Sequence, residues 1–242
     1  EPYMANNPGV TIINDDSGSG ALAKLRAMKE AGNVTWDLID MTGSAAMTAC
    51  EEGLAEEIDH DKVLANAPDG TPASVDFGDL IISPCFVPQI VYSTTFGYRT
   101  DKVGSNPPTS INDVFDLEKY PGKRSLEKRA VNNMEWALLA DGVPSDKVYD
   151  VLATDAGVKR AFAKLDTIKD SVVWWEKGAQ TPQLLADGEI VMGSTYNGRL
   201  FSLIVEEKQP VAMMWDWQVF DLDGWVVPKG TKNKAEVMKY LK

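Results

Sequence analysis

Residues 10–53 read VTIINDDSGSGALAKLRAMKEAGNVTWDLIDMTGSAAMTACEEG, and the fold class turns on this stretch. Val10-Thr11-Ile12-Ile13 is β-branched throughout and predicts a strand. Asp15-Asp16-Ser17-Gly18-Ser19-Gly20 then offers turn and cap residues before a helix over residues 21–30, with Leu22, Leu25 and Met28 near one face. The same glycine-rich turn lacks the Lys of a P-loop and the full Gly spacing of a dinucleotide fingerprint, so it predicts a helix N-cap and not a phosphate cradle. Asp37-Leu38-Ile39-Asp40 predicts a short buried strand, followed by a small-residue helix through Met47 and Cys50 that Gly53 ends. Strand, helix, strand, helix in this order predicts an α/β lobe with a parallel, doubly wound sheet.

Outward from this stretch, residues 65–83 read as irregular loop and residues 89–95 as a strand. Gly104-Ser105-Asn106-Pro107-Pro108 is a composition shift of the kind that marks a domain boundary. Helices are predicted over residues 130–140, 145–152 and 155–168, the last with Val158, Ala161, Phe162, Leu165 and Ile168 at helical spacing. Thr181-Pro182 opens another helix that Gly188 stops, the expected order of Pro in and Gly out. Residues 190–192, 211–214 and 225–227 read as three strands, with a helix over 199–207 between the first two.

The 242 residues suffice for one large domain or two modest ones. Twenty-four Lys and Arg stand against 36 Asp and Glu, a formal net charge of -12. Such a surface repels phosphate backbones, which argues against nucleic acid as a partner. No run approaches the roughly 18 apolar residues of a membrane-spanning helix. The two cysteines, Cys50 and Cys85, suit either one disulfide or two buried thiols.

Enzyme signatures are missing. The one histidine, His60, lies in the acidic run Glu56-Glu57-Ile58-Asp59-His60-Asp61, which reads as a solvated turn. Nothing near it in sequence resembles an activated nucleophile. Neither Cys-x-x-Cys nor clustered His is present, so no metal site and no cofactor are expected. The second half is rich in aromatic residues: Trp174-Trp175, Tyr196, Trp215, Trp217, Phe220 and Trp225. Arg199, Asp216, Asp221 and Asp223 sit among them. Aromatic faces attract ammonium groups and a carboxylate completes a cation site, although the core is the commoner place for any one of these tryptophans.

Five motifs in order carry a family resemblance: Asp37-Leu38-Ile39; Ala137-Leu138-Leu139-Ala140-Asp141-Gly142-Val143; Trp174-Trp175-Glu176-Lys177-Gly178-Ala179-Gln180; Tyr196-Asn197-Gly198-Arg199; and Asp221-Leu222-Asp223-Gly224-Trp225-Val226-Val227-Pro228. Together they resemble the polyamine/γ-aminobutyrate branch of the extracellular solute-binding proteins, over essentially the whole chain. The resemblance implies a type II periplasmic binding protein fold, two α/β lobes joined by a hinge with ligand held in the cleft between them. It places residues 1–94 and 221–242 in one lobe and 95–220 in the other, with hinge crossings near residues 92–95 and 219–221. It also implies a chain truncated at both ends, because family members carry further segments before and after it. The implied function is periplasmic: a monomer handing a small amine-bearing ligand to the membrane permease of an ABC transporter.

Spermidine and putrescine binders of that family carry an aromatic, two residues, then a polar or acidic residue, which falls on Tyr196 and Arg199. Their later amine-gripping Asp falls on Asp223, with an aromatic two residues before it. This sequence departs at both points, with Arg199 in the fourth position and Asp221 where the aromatic is usual. Two cationic ligand ends would meet Arg unfavourably, whereas one carboxylate and one ammonium suit an Arg and an Asp. An ω-amino acid such as γ-aminobutyrate is therefore expected in preference to a diamine. The expected contacts are Thr42, Ser44, Asn132, Tyr196, Arg199, Trp217 and Asp221 or Asp223. The oxidising compartment that the resemblance supplies favours a disulfide between Cys50 and Cys85. Two rivals are an enzyme on the same two-lobed fold and a ferric-ion binder, which would need paired tyrosines where Tyr196 has only Asn197 beside it.

Overall fold

The structure is a computed structural model that describes residues 2–15 and 20–242. The chain forms two compact units, Glu1–Val91 with Asp221–Lys242, and Tyr92–Phe220. Two long strands carry the chain from one unit to the other: β2 (Val87–Arg99) and β6 (Val211–Val226). The Gly104–Pro108 stretch is no boundary. It is a loop inside the second unit, between the helices Thr100–Val103 and Ile111–Phe115.

In the first unit, β1 (Ile39–Thr42) runs antiparallel to the end of β6, with Ile39 opposite Val226 and Thr42 opposite Asp223. Ile39 and Met41 point into the core and Asp40 away from it, the alternation that a half-buried strand requires. The helix Ala21–Glu30 forms where its apolar spacing predicts and buries Ala21 and Leu25; Gly20 at its N-cap adopts a left-handed φ of 97° and gives no side-chain cap. The rest of the predicted cap, residues 16–19, lies outside the described residues. Gly43–Glu51 follows β1 directly, packing Ala46 and Ala49 against Phe86, Cys85 and Val226. It ends in a Schellman turn: Gly53 (φ 66°) donates to Cys50 O at 3.0 Å and Leu54 N to Ala49 O at 2.9 Å. Cys50 and Cys85 are disulfide-bonded, with Cα atoms 5.7 Å apart.

Three expectations fail in this unit. Residues 10–13 form no strand, and Ile13 is 87% exposed. β-branching makes a strand only where a ladder partner exists, and the partner of β1 is β6. The doubly wound parallel sheet fails here for the same reason, because that pairing is antiparallel. Residues 65–83 are not all loop, since Ala73–Phe77 is helical and buries Ala73 just after Pro72, whose fixed φ suits a helix start.

The second unit holds β3, β4 and β5 together with parts of β2 and β6. β3 (Arg124–Glu127) lies between β4 (Val172–Trp175) and β5 (Met192–Tyr196), parallel to both, and β5 runs antiparallel to β2. Helices Asn133–Ala140 and Asp155–Asp166 pack together, with Trp136, Ala137, Leu138, Ala161 and Leu165 in the core; Phe162, expected on that face, is exposed. The segment expected to be one helix over 199–207 is the α-helix Asn197–Phe201 followed by a wider π-helical turn, Ser202–Glu206. The two strands expected at 211–214 and 225–227 are the ends of the single β6. Arg124 is fully buried and, among the described residues, no carboxylate stands within ion-pair distance of it; burial lowers its pKa to about 10, although Asp116 opposes the shift. It donates instead to the carbonyls of Val114, Asp116, Tyr120 and Gly122, fastening the loop before β3.

Candidate functional site

Three parallel strands of the second unit end side by side. Glu127 and Trp175 are register partners at the last residues of β3 and β4, and β5, parallel to β3, ends at Tyr196. The carboxyl ends of parallel strands are where open α/β sheets take ligands, because the chain turns there into loops and helix starts. Three segments lead away from this edge: the turn after Glu127, the loop after Trp175, and the helix Asn197–Phe201.

The ring of Tyr196 is fixed by two edge-on neighbours. Tyr92 lies 5.4 Å away at 89° and Trp175, itself fully buried, 5.9 Å away at 84°, centroid to centroid. Asn197 Oδ1 accepts from Ser93 N at 3.0 Å, tying the helix start to β2. Arg199 follows two residues later and is exposed, with its Nε against the backbone of Gly178.

The chain has six arginines, at 26, 99, 124, 129, 160 and 199. Four pair with carboxylates: Arg26 with Glu52, Arg99 with Asp101, Arg129 with Glu127 and Arg160 with Asp141, each at 2.6 Å. Arg124 is taken up by carbonyls. Among the described residues no carboxylate pairs with Arg199. A guanidinium keeps five donors in a planar fork, so Arg199 is equipped to accept a carboxylate from elsewhere. Its neighbours at the strand ends are already neutralised, since Lys128 meets Glu176 at 2.7 Å and Glu127 holds Arg129. Burial pushes the Glu127 carboxyl up, and Arg129 opposes that shift.

Asn132 and Trp217 are joined through Trp136. The indole Nε1 of Trp136 donates to Trp217 O at 2.8 Å, and Trp136 N donates to Asn132 O at 2.9 Å. Both residues have left-handed backbones, φ 71° for Asn132 and 52° for Trp217. That conformation is costly for a tryptophan, and such strain collects at binding sites. Asn132 is buried, whereas the Trp217 side chain is 44% exposed.

The remaining expected contacts lie in the first unit. Thr42 closes β1, Ser44 stands in the first turn of the next helix, and their hydroxyl oxygens are 3.4 Å apart. Asp223 is the register partner of Thr42, and the Asp221 carboxylate accepts from Leu222 N at 2.8 Å. Thr42, Ser44 and Asp223 thus gather at one end of the β1–β6 ladder. Tyr196 and Arg199 meet at Gly178, and Asn132 and Trp217 meet through Trp136.

One expectation about an individual residue is corrected. His60 is not solvated: it is buried, with Nε2 2.8 Å from Phe86 O. Ile58 and Leu64 on either side are core residues and draw the acidic turn inward. Asp216, which sits among the aromatic residues of the second half, accepts from Ile111 N at 2.8 Å and serves as a helix-start anchor. Sequence reading overlooked Tyr92, Trp175 and Gly178 as site residues. Trp175 and Gly178 lay inside a motif already singled out.

A family model described as bacterial extracellular solute-binding protein matches residues 1–242. The chain belongs to this family. Such solute-binding proteins are binders and not enzymes, and the family is bacterial and extracellular. The chain is 38% identical over 241 residues to a gamma-aminobutyric acid-binding protein of Pseudomonas aeruginosa, covering 100% of this chain and 65% of the relative. The chain thus spans about two thirds of the length of that curated solute-binding protein.

Solved solute-binding structures share the fold. The PBP MotA of A. tumefaciens B6, in complex with glucopine, is 33% identical with a TM-score of 0.84, over 99% of this chain and 71% of that one. The Atu4243 GABA receptor is 36% identical with a TM-score of 0.80, over 99% and 69%. The α/β binding-protein fold expected from sequence is thereby shown. Its mixed sheet replaces the all-parallel one first expected.

Proposed function

We propose that this chain binds a small ω-amino acid, γ-aminobutyrate or a close analogue, and delivers it in the periplasm to the membrane permease of an ABC importer, acting as a monomer without nucleic acid. The observation that carries the proposal is Arg199, the arginine for which the described residues offer neither a carboxylate nor a carbonyl partner. It stands beside Tyr196 at the carboxyl ends of three parallel strands. Arg199 takes the ligand carboxylate through its fork of donors. Asp221 or Asp223 takes the ammonium end, with the Tyr196 and Trp217 faces adding cation–π attraction. Thr42, Ser44 and Asn132 supply neutral hydrogen bonds. The named ligands of the P. aeruginosa relative and of the Atu4243 receptor support the same ligand class.

A diamine has no use for a free guanidinium, which sets putrescine and spermidine second. Calorimetric titration with γ-aminobutyrate, putrescine and spermidine tests the reading. Saturable binding of γ-aminobutyrate with weaker or absent diamine binding is expected. Tight diamine binding without any γ-aminobutyrate signal would overturn it.

A further inference from the structure

Gly178 lies in the loop between β4 and the helix Gln180–Ala186, and its φ lies outside the left-handed region. The backbone there admits any L residue, so only space is at issue. A β-carbon at this position would stand 2.8 Å from Tyr196 Cε2, 3.2 Å from Tyr196 Cδ2 and 3.0 Å from Arg199 Nε. The bare Cα is therefore what lets ring and guanidinium approach the loop.

The loop itself is held from several sides. Gln180 Oε1 accepts from both Glu176 N and Lys177 N at 2.8 Å, and the Thr195 hydroxyl donates to Gly178 O at 3.3 Å. Tyr196 is wedged between Tyr92 and Trp175 and has little room to turn. If a methyl group appeared at 178, the freest group in reach would be Arg199, at the end of a flexible chain.

We infer that Gly178 is a positioning residue: its bare backbone sets where the Arg199 guanidinium stands, and so sets affinity for the ligand's carboxylate. This rests on the proposed role of Arg199. The test is a double-mutant cycle of Gly178→Ala and Arg199→Ala in the full chain, titrated with γ-aminobutyrate. Gly178→Ala alone should weaken binding about tenfold, less than outright loss of the charge pair. In the Arg199→Ala background the same change should weaken binding clearly less, because only its push on the Tyr196 ring remains.

Equal weakening by Gly178→Ala in both backgrounds overturns the inference, as does full affinity in the single variant. If the single variant does not fold, the double variant against Arg199→Ala decides: weakening well below tenfold supports the inference, and weakening of tenfold or more defeats it. Parental affinity in Arg199→Ala itself defeats the reading of Arg199, and the inference with it.

Discussion

Arg199 and His60 show how far single residues can be read before their neighbours are known. Arg199 stands out in the sequence because Tyr196-Asn197-Gly198-Arg199 departs from a recognisable pattern in a charged position, and charge dictates partner chemistry. When a ligand carboxylate covers it, loss of the pair in Arg199→Ala should cost about 2–5 kcal/mol of binding, measured by titration with γ-aminobutyrate. Arg199→Asp should move preference toward diamines. His60 was misread because its environment comes from far away in sequence: its partner is the carbonyl of Phe86, 26 positions on. His60→Ala leaves that carbonyl buried and unpaired, and should lower unfolding stability by about 1–3 kcal/mol in denaturant titration. Gly178 was illegible as a functional residue, because a glycine's part lies in what approaches it.

At the scale of elements, local signals served where a segment depends on itself. The helix Ala21–Glu30 carries its own apolar face, and Gly53 and Gly188 stop helices by adopting φ values of 66° and 70°. Strands depend on partners, and there the reading failed. Residues 10–13 have β-branched residues but no ladder, while β6 continues for 16 residues across the gap between the two strands read at its ends. The helix Ile111–Phe115 shows a local device whose strength can be titrated. Ser110 and Asp113 form a capping box, in which the Asp113 carboxylate accepts from Thr109 N at 2.8 Å and Ser110 N at 3.1 Å and meets Lys119 Nζ at 2.7 Å. Burial pushes this carboxyl up, but Lys119 and the two N–H groups outweigh it and hold it below the ordinary carboxylate range. A carboxyl depressed on folding contributes stability in full above its unfolded pKa of about 4, and loses it as pH falls through the folded value. Asp113→Asn should therefore be less stable than the parent at neutral pH, with the gap closing below about pH 4. A gap that stays constant through acid unfolding would contradict this.

For the whole molecule, the two-unit division arises from two long strands rather than from a linker, which is why a loop rich in Pro and Gly at 104–108 misled a search by composition. Motif order along the chain carried the family because it samples many elements at once, whereas each motif alone specifies little. The proposed contacts include Arg199, Tyr196 and Asp221 or Asp223. A ligand that binds only the folded chain must then stabilise it by mass action. With γ-aminobutyrate at a hundred times its Kd, the gain is about 2.7 kcal/mol. For a chain of this size each kcal/mol raises Tm by about 2–4 °C, so the ligand should lift the melting transition by roughly 5–10 °C. The same concentration should leave Arg199→Ala nearly unmoved, and Asp221→Asn or Asp223→Asn should lose the shift at whichever carboxylate holds the ammonium. Neither Asn change alters side-chain shape appreciably, so the melting temperatures without ligand should stay close to the parent's. A full ligand-induced shift in both Asn variants would move the cation site away from these residues, while leaving the carboxylate assignment to Arg199 intact.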